Sequence, residues 1–414
     1  MSNSERTAAN HDNAIPDRAT IVARAEKMRP WLIEQQAATE ERTFYSEEVH
    51  QAFHEAGFYR ISTPRCYGGF ELDATTFYQV MMSISRGCPS TGWMLALGAA
   101  HGLNVASYYP KQAQDEMLGA DETFIASGSF AHEKALARPV DGGYMVRGTW
   151  HFCSGVPYAT YHLGLVPTKA ENYSEEDLLM VAIPRSEYRR LDNWGDLIGL
   201  KGSGSHSVVV EEEVFVPEYR AVRMIDMEDD SGQTPGYKLH GNTLFAGRFF
   251  GFAVGELASV QVGAAQGAVD ELERVLVGKR AMSPINAGIP KIEHHDYQRC
   301  VGMATAYAES AHSIVSQVGE QYMENARLAV QEGEPFSDEK VWRLYGQQMT
   351  AAKLSWEAGE IVFRAGSTTG ARDGETLQRY WRDLCAFRSN GLHQHEFRAH
   401  ALAQSRFGLP VDFY

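Results

Sequence analysis

The chain has 414 residues, 44% of them hydrophobic and 22% charged, with a formal net charge of −15. That length exceeds one ordinary core, so a globular protein of two or three domains or layers is expected. The acidic balance argues against nucleic acid as a partner, since phosphate binding needs clustered Lys and Arg, although one local arginine can still hold an anionic small molecule.

The first residues, MSNSERTAANHDNAIPDRAT, are polar and lack the apolar centre of a signal peptide. No apolar run reaches the roughly 18 residues of a membrane span, so a cytoplasmic protein with no membrane partner is expected. Five cysteines, Cys66, Cys88, Cys153, Cys300 and Cys385, are scattered without a CxxC, which fits reduced thiols and argues against zinc.

Residues 1–18 read as a flexible lead, followed by a helical domain over 19–122. ATIVARAEKMRPWLIEQQAATEERT carries apolar residues at helical spacing, and SEEVHQAFHEAGFYRI opens on a Ser N-cap with an acidic first turn. TPRCYGGFELD is a Pro/Gly loop, and ATTFYQVMMSISRGC and STGWMLALGAAHGLNVASYY are two further helices. Over 123–241 the texture turns to short β-rich segments separated by turns, such as YMVRGTWHF, LLMVAIP and HSVVVEEEVFVP, which predict a small barrel or two-sheet domain. Over 242–414 four long helical segments return, enough for a bundle. No GxGxxG follows a strand, and GLKGSGSHS precedes a β run rather than a helix, so a dinucleotide-binding unit is not indicated.

In GTWHFCSGVPYA, residues 148–159, Trp150, Phe152 and Ser154 alternate with His151, Cys153 and Gly155, the period of a strand entering a turn. One face would then carry two flat rings and a hydroxyl. Taken alone, the strand reads as barrel core with Ser154 opening the turn, because aromatic strand faces are usually core.

Four motifs in order change that reading. PRCYGGFELD, GTWHFCSG, WGDLIGLKGSGSHSVVVEEEVFVP and RYWRDL together resemble the acyl-CoA dehydrogenase superfamily over nearly the whole chain. The resemblance implies an α+β, mostly α fold: an N-terminal helical domain, a middle β-barrel and a C-terminal four-helix bundle. It also implies that Trp150, Phe152, Ser154 and Gly155 bind a flavin. The rings would flank it, the hydroxyl would bond its N5–C4=O edge, and the glycine would let backbone approach. Arg248 in FAGRFFGF sits where relatives hold the flavin; its other reading is an exposed helix-start arginine.

The superfamily holds two chemistries. Dehydrogenases need a carboxylate base, often a few residues after the C-terminal Arg-Asp. Here that stretch is RDLCAFRSNGLHQ, the slot falls near Gly391, and no Asp or Glu stands between Asp383 and Glu396. The other branch is the oxygenase component of two-component flavin monooxygenases, similar to p-hydroxyphenylacetate hydroxylase and the seco-steroid phenol hydroxylases. It takes reduced flavin from a separate NAD(P)H-flavin reductase and, with O₂ as co-substrate, forms a C4a-hydroperoxide that hydroxylates an aromatic ring.

GCPSTGWMLALGAAHG fits this branch. Trp93 and His101 lie eight residues apart, on nearly one helix face, and relatives show such a pair beside the substrate. Their other reading is helix packing and a core histidine. Near the C-terminus the hydroxylases show RD…SH and then GLP; here the frame reads RDLCAFRSN…FGLP, with Asn390 in the His slot and His393 close by. Asn can hydrogen-bond but cannot exchange a proton near neutral pH, so His101, water or a shifted His393 would supply it.

The resulting expectation is the oxygenase component of a reduced-flavin-dependent (FMNH₂ or FADH₂) monooxygenase acting on a small aromatic or heteroaromatic substrate. His101, Asn390 and Ser154 would act at the reaction, Trp93, His101 and His393 would hold the substrate, and no metal would be bound. Small-residue runs such as VGAAQGAV suit a homotetramer. An FAD-dependent acyl-CoA dehydrogenase and a non-catalytic flavin-binding scaffold are the alternatives.

Overall fold

The computed structural model describes residues 15–282, 288–391, 394–409 and 411. The Asp17 side chain accepts the Thr20 N–H at 2.8 Å and opens α1 (Arg18–Arg42), whose Ile21, Ala25, Leu32, Gln36 and Thr39 are buried at helical spacing. α2 (Glu47–Ala56) starts on the Ser46 cap and stops at Gly57. α3 (Ala74–Gly87) and α4 (Pro89–Tyr108) are almost wholly buried, and α5 (Lys111–Met117) closes the helical region.

Among the described residues eight strands follow: β1 (Ala126–Ser129), β2 (His132–Val140), β3 (Gly143–Trp150), β4 (Tyr161–Pro167), β5 (Leu178–Pro184), β6 (Arg189–Arg190), β7 (Val208–Pro217) and β8 (Ala221–Arg223). They form two four-stranded sheets, β1-β4-β5-β8 and β2-β3-β7-β6. Ala137, Val146, Trp150, Val166, Val181, Ile183, Val208 and Val216 fill the space between them. Among the described residues only β1 and β4 pair in parallel, with Ser127 opposite His162.

The short α6 (Pro235–His240) leads to α7 (Phe249–Leu276), α8 (His295–Glu332), α9 (Asp338–Gly370) and α10 (Thr376–Ser389). α11 (His395–Arg406), not foreseen from the sequence, packs on α9. α3, α4 and α7 share one continuous core, which joins the first helical region to the bundle. No described helix is long and apolar enough to cross a membrane.

Candidate active site

β3 ends at Trp150, and the expected alternation ends with it. Phe152 takes a left-handed φ of 59°, and the Ser154 N–H donates back to the Phe152 carbonyl at 2.9 Å. Trp150 and Phe152 therefore do not share a face. Trp150 is 0% exposed and its Nε1–H donates to the Leu165 carbonyl at 2.8 Å, so it packs in the sheet core. Phe152 is the opposite case: the residue is 63% exposed, and its ring meets that of Trp194 edge-to-face with centroids 6.2 Å apart.

Ser154 stands at the centre of a buried polar array. The Trp93 Nε1–H donates to Ser154 Oγ at 2.8 Å, Ser154 and Ser205 Oγ are 2.6 Å apart, and Ser205 and Ser203 Oγ are 2.7 Å apart. An indole N–H can only donate, so Ser154 accepts from Trp93, and its own proton goes to Ser205 or to a ligand. Gly155 follows at φ 84°, where a Cβ would stand 3.4 Å from the Met94 carbonyl, so the turn fits directly beneath α4.

Ser203 and Ser205 were not singled out in the sequence. The Ser-x-Ser alternation of GSGSHS was the available signal, but it looks like ordinary loop composition. The Arg-Asp of RYWRDL fixes that loop. Asp383 Oδ1 accepts the Leu200 N–H at 2.6 Å, the Gly202 N–H donates to Ser90 Oγ at 3.4 Å, and Arg382 donates to the Ile198 carbonyl at 2.9 Å and to Glu40 at 2.8 Å. Asp383 is 3% exposed, and burial pushes its carboxyl up to about 7.

His101 lies on the same face of α4 as Trp93. Its Nδ1–H donates to the Ala126 carbonyl at 2.6 Å, which leaves a lone pair on Nε2. A Cβ on Gly128 would come within 2.6 Å of that nitrogen, so only glycine leaves it room. Burial lowers the His101 pKa to about 4, so the ring is neutral near pH 7. Behind β1, His162 bonds Ser127 at 3.0 Å, and burial followed by the nearby His101 lowers it to about 3.

α10 brings its C-terminal end to the same place. The Phe387 ring lies 5.1 Å from Trp93, and Asn390, one turn on, caps the helix with its N–H on the Phe387 carbonyl at 3.1 Å. His393 lies outside the described residues. Arg248 is not the exposed arginine of one expectation, being only 6% exposed. It donates to Glu228 at 3.0 Å and to the Phe336 carbonyl at 3.0 Å, and pairs with Asp338 at 2.7 Å. It lines an acidic cavity of about 900 Å³ with Glu176, Asp226 and Leu409, none of which belongs to the Trp93–Ser154 array.

These parts fit a flavin. An exposed ring, Phe152, with the half-buried Trp194 edge-to-face to it, is followed in the chain by a hydroxyl with two hydrogen-bond partners and by a glycine.

Family models for the acyl-CoA dehydrogenase N-terminal and C-terminal domains match residues 19–118 and 256–395. The chain is 29% identical over 396 residues to the flavin-dependent monooxygenase oxygenase subunit HsaA of Rhodococcus jostii, covering 94% of this chain and 98% of that one. It is 30% identical to the FADH(2)-dependent resorcinol hydroxylase oxygenase component of a Rhizobium, covering 80% of each. The crystal structure of the 3-HSA hydroxylase of Rhodococcus sp. RHA1 superposes with a TM-score of 0.84 at 27% identity, over 95% of this chain and 98% of that one. The chain therefore belongs to the acyl-CoA dehydrogenase superfamily, in its branch of oxygenase components of two-component flavin-dependent monooxygenases.

Proposed function

We propose that this oxygenase hydroxylates a small aromatic or heteroaromatic substrate, using reduced flavin delivered by a separate NAD(P)H-flavin reductase. The observation that carries the reading is the Trp93–Ser154–Ser205 array beside the exposed Phe152 ring. Reduced flavin, when bound, supplies the electrons that activate O₂. Phe152 and Gly155 would lie against its ring, and Ser154 would bond its edge. Trp93 and Phe387, whose rings lie 5.1 Å apart, would form an apolar wall that keeps water from the reacting centre. His101, held as the Nδ1–H tautomer, offers Nε2 as an acceptor for a substrate hydroxyl. Asn390, at the end of α10, would be a hydrogen-bonding group in place of a proton donor. Arg248 fits this reading less directly, since two carboxylates and a carbonyl already hold it.

Assembly as a cytoplasmic homotetramer belongs to the same reading, on the small-residue runs of the bundle, and light scattering tests it. The functional test supplies chemically reduced flavin, O₂ and a panel of phenols and indoles, and follows oxygen uptake and product mass. A hydroxylated product is expected. A protein that is yellow as purified and bleaches with an acyl-CoA, giving no oxygenated product, would overturn the proposal in favour of a dehydrogenase.

A further inference from the structure

The row of Trp93, Ser154, Ser205 and Ser203 carries a hydrogen count that its own members do not close. It holds one hydrogen on the indole nitrogen and one on each of the three hydroxyls. Three contacts join the row, at 2.8, 2.6 and 2.7 Å, and each takes one hydrogen. One O–H is therefore left over in every arrangement, and among the described residues none of the three hydroxyls has a further hydrogen-bond partner. Ser154 and Ser205 are 3% exposed and Ser203 is 0% exposed, so the surplus O–H is buried. A buried donor without an acceptor is unfavourable, and a ligand acceptor would relieve it.

The two ends of the row decide where that hydrogen lies. Trp93 can only donate, so it fills one lone pair of Ser154 in every arrangement. Ser203, at the other end, sits inside a closed turn. Its N–H donates to the Leu200 carbonyl at 3.1 Å, and Gly204 beside it takes a φ of 59° with its N–H on the Thr43 carbonyl at 2.8 Å. A Cβ on Gly204 would stand 3.0 Å from Met94 Sδ and 3.1 Å from Pro157, so α4 and the segment after Gly155 press on this turn. A hydrogen left over at Ser203 would stay unpaired whatever binds at the flavin site. When the row runs from Ser203 to Ser205 to Ser154, both lone pairs of Ser154 are filled and the surplus hydrogen is its own. Ser154 stands one residue before Gly155 and two after the exposed Phe152, where a ligand can meet it.

We infer that Ser205, with Ser203 behind it, is a positioning residue that holds Ser154 as a hydrogen-bond donor toward the flavin. The inference rests on the monooxygenase reading. Ser154 then meets an acceptor on the flavin edge, the C4 carbonyl oxygen, which accepts in the reduced and the oxidised ring alike. The N–H at N5 of the reduced ring would find no lone pair free on Ser154. A hydroxyl that accepts a hydrogen bond becomes a better donor, so Ser203 and Ser205 also strengthen the bond that Ser154 makes.

The test binds reduced FMN, labelled with ¹³C at C4 and ¹⁵N at N5, in the absence of oxygen, and reads both resonances by NMR in the parent, Ser154→Ala and Ser205→Ala. FAD labelled at the same atoms replaces FMN if FMN does not bind. A hydrogen bond to the carbonyl moves C4 downfield. Ser154→Ala is expected to return C4 upfield, leave N5 nearly unmoved and weaken binding roughly two- to tenfold. Ser205→Ala should move C4 the same way by roughly a tenth to a third as much, with a smaller loss of affinity. A C4 resonance that Ser154→Ala leaves in place, an N5 resonance that moves instead of C4, or a C4 resonance that does not respond to Ser205→Ala overturns the inference. If Ser205→Ala does not fold, Ser203→Ala takes its place, and the same direction of shift is required of it. Hydroxylation by the parent is scored separately. An oxygenated product together with a C4 resonance indifferent to Ser154→Ala sinks the donor assignment and leaves the monooxygenase reading standing, whereas a parent that binds neither reduced flavin removes both.

Discussion

Replacing Ser154 by alanine removes an oxygen that two buried groups share. Ser205 keeps Ser203 as a partner at 2.7 Å, but the Trp93 N–H loses its acceptor at 2.8 Å. A buried donor left unpaired destabilises by about 1–3 kcal/mol. Trp93→Phe removes the donor instead: Ser154 keeps Ser205 at 2.6 Å, a ring still faces Phe387, and the expected loss is about 1–2 kcal/mol. Once the indole N–H is gone, Ser154→Ala no longer strands it. The double variant should therefore be more stable than the sum of the singles predicts, by about 1 kcal/mol. Urea unfolding of the four proteins measures this, provided the slopes agree. The same substitution deletes the hydroxyl at the flavin edge, so reduced-flavin affinity should fall about two- to tenfold in Ser154→Ala, with more H₂O₂ formed per flavin oxidised. Additive stabilities together with unchanged affinity and H₂O₂ yield would return Ser154 to a turn residue with no part in the site.

Asp383→Asn keeps an oxygen for the Leu200 N–H and should fold and bind flavin, whereas Asp383→Ala should release the 198–205 loop and weaken flavin binding. The Asp383 carboxyl sits near 7 when folded, against about 3.8 when unfolded, so its stabilising effect is complete below about pH 3.8 and lost as pH rises through 7; pH-dependent unfolding should show this fall removed in Asp383→Asn. His162 has the opposite sign: the unfolded chain takes up its proton near pH 6.5 and the folded protein only near 3, so stability falls as the pH is lowered between those values, by on the order of 5 kcal/mol. His162→Gln should flatten that acid limb. Arg248→Ala should destabilise by about 3–5 kcal/mol, because Glu228 is left buried without its cation, and adding Glu228→Gln should recover much of the loss in thermal unfolding.

The fold was legible because each region has its own period: apolar residues at helical spacing, then short β-rich runs, then long helices. The site was legible only in part. Trp150 and Phe152 looked equivalent because alternation assumes that a strand continues, and the left-handed residue at 152 is a bulky one that composition does not flag. Ser203 and Ser205 were hidden because serine in a glycine-rich loop is ordinary, and only the approach of residue 154 gives them a role. Arg248 was read as surface or flavin ligand. The structure buries it and pairs it with Glu228 and Asp338, 20 and 90 residues away in the chain.

The Arg-Asp motif shows why sequence position and function separate in this fold. Asp383 touches neither Ser154 nor Ser205, yet it holds the Leu200 N–H while Ser90 holds the Gly202 N–H, and Ser90 in turn donates to Asp383 at 3.5 Å. The loop that carries Ser203 and Ser205 is thus tied to α10 by the carboxylate and to α4 by the hydroxyl. Those two helices also supply Phe387 and Trp93, whose rings meet over the array. A shift of α10 against α4 would move the hydroxyl row and the aromatic wall together. The geometry of Ser154 therefore depends on a buried acid more than two hundred residues away in the chain, and the Asp383→Ala and Asp383→Asn pair separates that positioning role from charge, since only the alanine loses the acceptor.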